Sequence, residues 1–168
     1  MKYFNSLIIV LSTITYSAFG QTTDKIIKIK GDTLKVTVTN VSESTITYSY
    51  PNETVTTTIN RKVVKQIIYK SGRTEDISSP VIINGEADFE KVILTKDPNE
   101  VIGLVKKGEV QSKAQKGFGK ESKLRITATE DLKKEVAKKG GFIVLVQSDN
   151  FSNSPLNNVT LSGIAYGY

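Results

Sequence analysis

Between Asp24 and Ser79 apolar and polar residues alternate with a period of two, and turn signals cut the alternation every few positions. That pattern commits the segment to short strands with one buried face, because successive strand side chains point to opposite sides. Ile27 and Ile29 lead to Gly31-Asp32, a dipeptide that closes hairpins; Leu34, Val36 and Val38 then alternate with Lys35, Thr37 and Thr39. Ile46, Tyr48 and Tyr50 alternate with Thr45, Thr47 and Ser49, Pro51-Asn52-Glu53 reverses the chain, and Val55, Thr57 and Ile59 return. The mixed spacing of Val63, Val64, Ile67 and Ile68 predicts one helical turn leading into a strand over 66–70, closed by Ser71-Gly72-Arg73. Five short strands offer too little area for two full layers. The expectation for residues 24–79 is therefore a small five-stranded β-barrel-like domain, whose closure removes exposed edges.

Residues 80–88, punctuated by Pro80 and Gly85, read as a linker to a second domain over 89–168. Phe89, Val92 and Leu94 begin a strand that Asp97-Pro98-Asn99 ends, and residues 108–115 form a second, signalled by Val110 alone. Leu124, Ala128, Leu132 and Val136 recur at i+4, with Ala137 widening the stripe, which predicts a helix over 121–139. Ser122 is its expected N-cap, Gly140-Gly141 its stop, and Glu130 with Lys134 and Glu135 with Lys139 its i,i+4 pairs. The apolar run 142–146 predicts a central strand, 148–157 a polar loop, and 158–166 a last strand. The fold class expected is α+β: a ββαββ antiparallel sheet packed by one helix, following the barrel-like domain.

The first twenty residues carry Lys2, an apolar core over 7–14 and Ala18-Phe19-Gly20, the pattern of a signal peptide cleaved between Gly20 and Gln21. Its core is much shorter than the roughly 20 residues that span a bilayer, and no other stretch qualifies, so no transmembrane span is expected. The chain has neither Cys nor His. A lipoprotein anchor, disulfides, thiolate nucleophiles, imidazole bases and Cys/His metal sites are thereby excluded, and no cofactor or metal is expected. The expected location is periplasmic or secreted.

Without Lys2 the chain carries 22 basic and 17 acidic groups, and the excess lies between Lys106 and Lys139, where eleven Lys and Arg face five Asp and Glu. Outside the cytosol such a segment meets anionic envelope components and not nucleic acid. The candidate binding residues are Lys120, Lys123, Arg125, Lys133, Lys134 and Lys138, and the alternative description is a solvated helix face. Tyr48, Tyr50 and Tyr69 are candidates for a stacking surface in a second reading, a glycan or small-ligand binder. A third reading, a hydrolase built on carboxylates, has Glu75 with Asp76 and Asp88 with Glu90 to draw on. Glu75 and Asp76 are strand neighbours that point apart and flank a turn, neither pair is obviously convergent, and the chain is expected not to be an enzyme. Gly117-Phe118-Gly119-Lys120-Glu121-Ser122 lacks the phosphate-loop pattern, with Ala114 where a glycine is required and Glu121 where a hydroxyl is.

The run DKIIKIKGDTLKVTVTNVSESTITY, with Val64-Lys-Gln-Ile67-Ile-Tyr69-Lys-Ser-Gly72 after it, resembles the N-terminal region of uncharacterised exported Bacteroidetes proteins. The shared residues are an aspartate, a GD hairpin, an I-x-Y strand and the V-x-x-I-x-Y-x-x-G close, and the resemblance implies no activity. The order ββαββ and LKKEVAKKGGFIVLV are loosely similar to the heavy-metal-binding-like family and to stress-sensing envelope lipoproteins. That similarity implies a fold and a compartment, while metal binding and redox sensing are in conflict with the missing cysteines. The expected function is a non-catalytic envelope module that binds an envelope protein or an anionic envelope component.

Overall fold

A computed structural model describes residues 23–116, 120–153 and 156–168. The expected signal peptide and the Gly117-Phe118-Gly119 part of the glycine-rich loop lie outside the described residues. Among the described residues the architecture is α+β, with ten strands in two sheets and one long helix. Among the described residues no helix is long and apolar enough to cross a membrane.

The first sheet holds β1 (Asp24–Lys28), β2 (Thr33–Val41), β3 (Thr45–Ser49), β4 (Thr56–Asn60), β5 (Val64–Ile68) and β6 (Thr74–Asp76), in the order β4-β3-β2-β1-β5-β6. All its pairings are antiparallel. The period-two alternation holds for β2 and β3, whose Val36, Ile46 and Tyr48 join Ile59, Val64 and Ile67 in one core. At β1 the buried apolar residue is Ile26 and not Ile27 or Ile29, and Val55 precedes β4 and is exposed. Asn52 takes a φ of 65° one residue after Pro51, the positive φ that the third position of a type II turn requires. Arg61–Val63 makes the expected helical turn, a single 3-10 turn between β4 and β5.

The barrel expectation fails on the sixth strand. Gly72, at φ 86°, lets residues 69–73 fold β5 back into β6, and β6 takes the free edge of β5. The edge that closure onto β4 would need is therefore filled, and the sheet stays open, with β4 and β6 as its borders.

The second sheet holds β7 (Ile93–Thr95), β8 (Val105–Lys116), β9 (Ile143–Ser152) and β10 (Asn157–Gly167), in the order β7-β9-β10-β8. The chain order ββαββ is as expected, but the sheet is not wholly antiparallel, because β7 runs parallel to β9. β7 and β8 are not neighbours either; they border opposite edges. β9 also continues to Ser152, through residues expected to be loop, because β10 pairs with it as far as Asn158. A polar strand persists where a neighbour supplies the ladder.

Helix α1 (Glu121–Lys138) buries Leu124, Ala128, Leu132, Val136 and Ala137, the stripe that its sequence marks out. They pack on Val110, Ala114, Val144, Val159, Leu161 and Ala165 of the sheet. Ser112 sits on the same face and donates its hydroxyl to the Ala128 carbonyl at 2.6 Å. The N-cap is Lys120, with no side-chain cap bond, and Ser122 lies inside the first turn. At the other end Gly140, at φ 68°, donates to Ala137 and Gly141 donates to Val136, the paired bonds of a Schellman stop.

Residues 77–84 carry no strand or helix, and a 3-10 turn over Glu86–Lys91 then lays Phe89 and Val92 on the helical core. One end of the opposite face of the second sheet, at the start of β9 and the end of β10, is covered by a third cluster around Val101, Phe142 and Ile143. Leu104 packs against both this cluster and the core of the first sheet. Asn60, fully buried, joins the two halves: its amide donates to the Ile102 carbonyl at 3.0 Å and its side-chain NH2 to the Asn99 carbonyl at 3.3 Å.

Candidate functional site

The helix brings the six basic candidates onto one element, and the tertiary fold divides them into two groups. Arg125 is paired with Glu121 one turn earlier at 2.8 Å and with Asp149 of β9. Glu121 first, and Asp149 second, hold its guanidinium more firmly protonated than usual. Lys138 contacts Glu135 at 2.8 Å and Glu86 of the 3-10 turn at 3.6 Å, and Glu135 is the main cause of its raised pKa. Lys134 reaches Asp131 at 3.4 Å and lies 5.5 Å from the Phe89 ring centroid. The i,i+3 pairs Asp131–Lys134 and Glu135–Lys138 stand in place of the expected Glu130–Lys134 and Glu135–Lys139 pairs.

Lys120, Lys123 and Lys133 have no ion-pair partner among the described residues. Lys120 and Lys123 are exposed at the start of α1, one three-residue connection away from exposed Lys116 at the end of β8. Lys116 is a member of the basic segment that sequence reasoning did not single out. The neutralising acids Asp149 and Glu86 were likewise missed. No local signal marks them, since Asp149 is 24 positions from Arg125.

The tyrosines do not present three open rings. Tyr48 is only 3% exposed and belongs to the core of the first sheet; Tyr50, at 38% exposed, meets it edge to face at 5.7 Å. Burial, and then the hydrogen bond with Tyr50, push the Tyr48 hydroxyl up to about 12. Tyr69 donates to Glu75 at 2.9 Å, and the Arg73 guanidinium lies 4.0 Å from its ring centroid. One face of that ring is thus already occupied by a cation.

Three of the four carboxylates offered as pairs are bound locally. Glu75 accepts from Tyr69 and Arg73, and Asp76 accepts from the Gln66 side chain at 2.7 Å. Asp88 accepts the Asn84 amide at 2.8 Å and meets Lys91 at 2.6 Å; Lys91 chiefly, with that amide, holds its carboxyl below the usual range. Glu90 and Glu130 line one open groove of about 450 Å³ beside Phe89, Arg125 and Thr129. Both are exposed, and neither is buried as the general acid of a glycosidase is. Among the described residues no three His, Cys, Asp or Glu side chains gather as a metal site.

No family model, no curated protein and no solved structure matches the chain.

Proposed function

We propose that this chain is a non-catalytic, exported binding module of the cell envelope, and that the corner where β8 passes into α1 contacts an anionic envelope component. The observation that carries the reading is the division of the cations. Arg125, Lys134 and Lys138 are paired with Glu121, Asp149, Asp131, Glu135 and Glu86, whereas Lys120 and Lys123 are exposed with no ion-pair partner among the described residues, and exposed Lys116 precedes them. Unpaired charges attract a partner without first breaking an internal pair, and that attraction is screened by salt.

Co-sedimentation with vesicles containing phosphatidylglycerol tests the proposal. Reversing Lys116, Lys120 and Lys123 to Glu should abolish binding at low salt, and raised salt should weaken binding of the unaltered protein. Reversing Lys134 and Lys138 should have the smaller effect. Equal binding by the unaltered protein and the corner variant overturns the assignment.

A further inference from the structure

We infer that the free edge of β8 docks a second copy of the chain, the two β8 strands pairing antiparallel about a two-fold axis at Gln111. β8 is twelve residues long and borders the second sheet, with β10 as its one neighbour among the described residues. The backbone groups on its outer side have no partner among the described residues. A polar strand edge of this length is a template for another strand, and a two-fold axis makes one edge complementary to itself.

Among the registers that pair most of the strand, the side chains favour one. Val110, Ser112 and Ala114 are buried beneath α1, so the alternate residues Glu109, Gln111 and Lys113 stand on the sheet's other face and are exposed. With Gln111 opposite its own copy, Glu109 of each strand falls opposite Lys113 of the other, and Val110 opposite Ser112. Two opposite-charge pairs thus form on one face, as cross-strand partners that stabilise a sheet. Among the described residues Lys113 has no ion-pair partner, and Glu109 has one 3.5 Å contact, with exposed Lys106. A slip of two residues one way sets Glu109 against Gln111 and Lys113 against Lys107; the other way sets Glu109 against Gln115. Neither slipped register unites opposite charges. The one like-charge pair, Lys106 with Lys116, falls at the ends, where the β8–β10 ladder already shifts register at Lys106 and Gly108. The product is a continuous eight-stranded sheet built from two four-stranded halves.

Sedimentation velocity over a range of concentrations, on the protein purified after export, tests this directly. The unaltered protein should show a monomer–dimer equilibrium. Lys113→Glu places Glu opposite Glu twice and Glu109→Lys places Lys opposite Lys twice, and each should raise the dimer Kd by about tenfold or more. The double variant E109K/K113E restores both attractive pairs with their signs exchanged, so its Kd should return to within about threefold of the unaltered value. Both positions are exposed, and circular dichroism melting checks that each variant folds. A monomer at every concentration, a dimer indifferent to the single reversals, or a double variant as weak as the singles would each overturn the inference. The corner lysines Lys116, Lys120 and Lys123 are unaltered in this series, so loss of vesicle binding and loss of dimerisation are read separately.

Discussion

The carboxylate of Asp24 accepts the backbone amide of Lys70, 46 positions along the chain, at 2.8 Å with one oxygen and the amide of Val38 at 2.8 Å with the other. Asp24 is 6% exposed and opens β1, between β2 and β5. One side chain therefore ties down the continuation of both neighbouring strands. Bonds from amides to a buried carboxylate are charge-assisted, and deleting the acceptor strands two donors. Asp24→Ala should cost roughly 2–4 kcal/mol in urea unfolding, and Asp24→Asn about half of that, since one carbonyl oxygen survives. Equal stability of Asp24→Ala and the unaltered chain would show that the two amides find water instead.

Gly163 marks a different kind of constraint. A Cβ at this position would lie 2.5 Å from the Leu145 carbonyl oxygen and 2.8 Å from a Val144 methyl, beside the irregularity where β9 and β10 shift register. The first obstacle is backbone, so relief requires strand movement within a sheet packed against α1. Gly163→Ala should destabilise the second sheet by about 1–3 kcal/mol, read as a lower melting temperature with unchanged far-ultraviolet spectrum. An unchanged melting temperature would mean that the β9 bulge absorbs the methyl.

The elements that could be read from sequence are those whose partners are local. Leu124, Ala128, Leu132 and Val136 bury because their own spacing makes one stripe, and Val36, Ile46 and Tyr48 because their own strands alternate, whereas the adjacent Ile26 and Ile27 left the inward side of β1 open. β8 was visible only through Val110, since Ser112 and Ala114 carry little apolar signal and are buried by α1 arriving from above. The polar end of β9 and the parallel placement of β7 depend on neighbours far along the chain, which no periodicity encodes. The candidate site divides in the same way. Its lysines are plain in the sequence, but which of them remain unpaired depends on Asp149 and Glu86, which reach α1 only through the tertiary fold.

Asn60 is the test of whether the two sheets act as one cooperative unit. Its side-chain oxygen caps the 3-10 turn by accepting the Lys62 amide at 2.7 Å, while its NH2 reaches Asn99 in the other half. Asn60→Ala should cost about 1–2 kcal/mol, and should speed hydrogen exchange at the Lys62 amide above all. Asn60→Asp keeps the cap but sets a carboxylate against the Asn99 carbonyl, so it should protect Lys62 while still lowering stability. The adjoining Lys62–Glu100 pair, 3.0 Å long and partly exposed, should contribute less than about 1 kcal/mol. If both Asn60 variants unfold in two separated transitions, the halves are independent and Asn60 is a local cap.

Tyr48 gives stability at high pH a specific source. Folding raises its hydroxyl from 10.0 to about 12, first through burial and then through the hydrogen bond with Tyr50. A raised acid holds its proton more tightly in the folded state. The contribution is therefore complete below the unfolded value of 10.0 and is lost as pH climbs from there toward about 12. Tyr69 and Tyr168 are also raised, chiefly by burial, and act in the same direction. Tyr48→Phe removes one titrating group while keeping the ring, so its urea midpoint should fall less steeply than that of the unaltered chain as pH rises above 10. Tyrosinate absorbance should in parallel lose one late-titrating group. Identical pH slopes for the two proteins would mean that Tyr48 ionises freely, which its place beside Ile46 and Ile59 in the core does not allow.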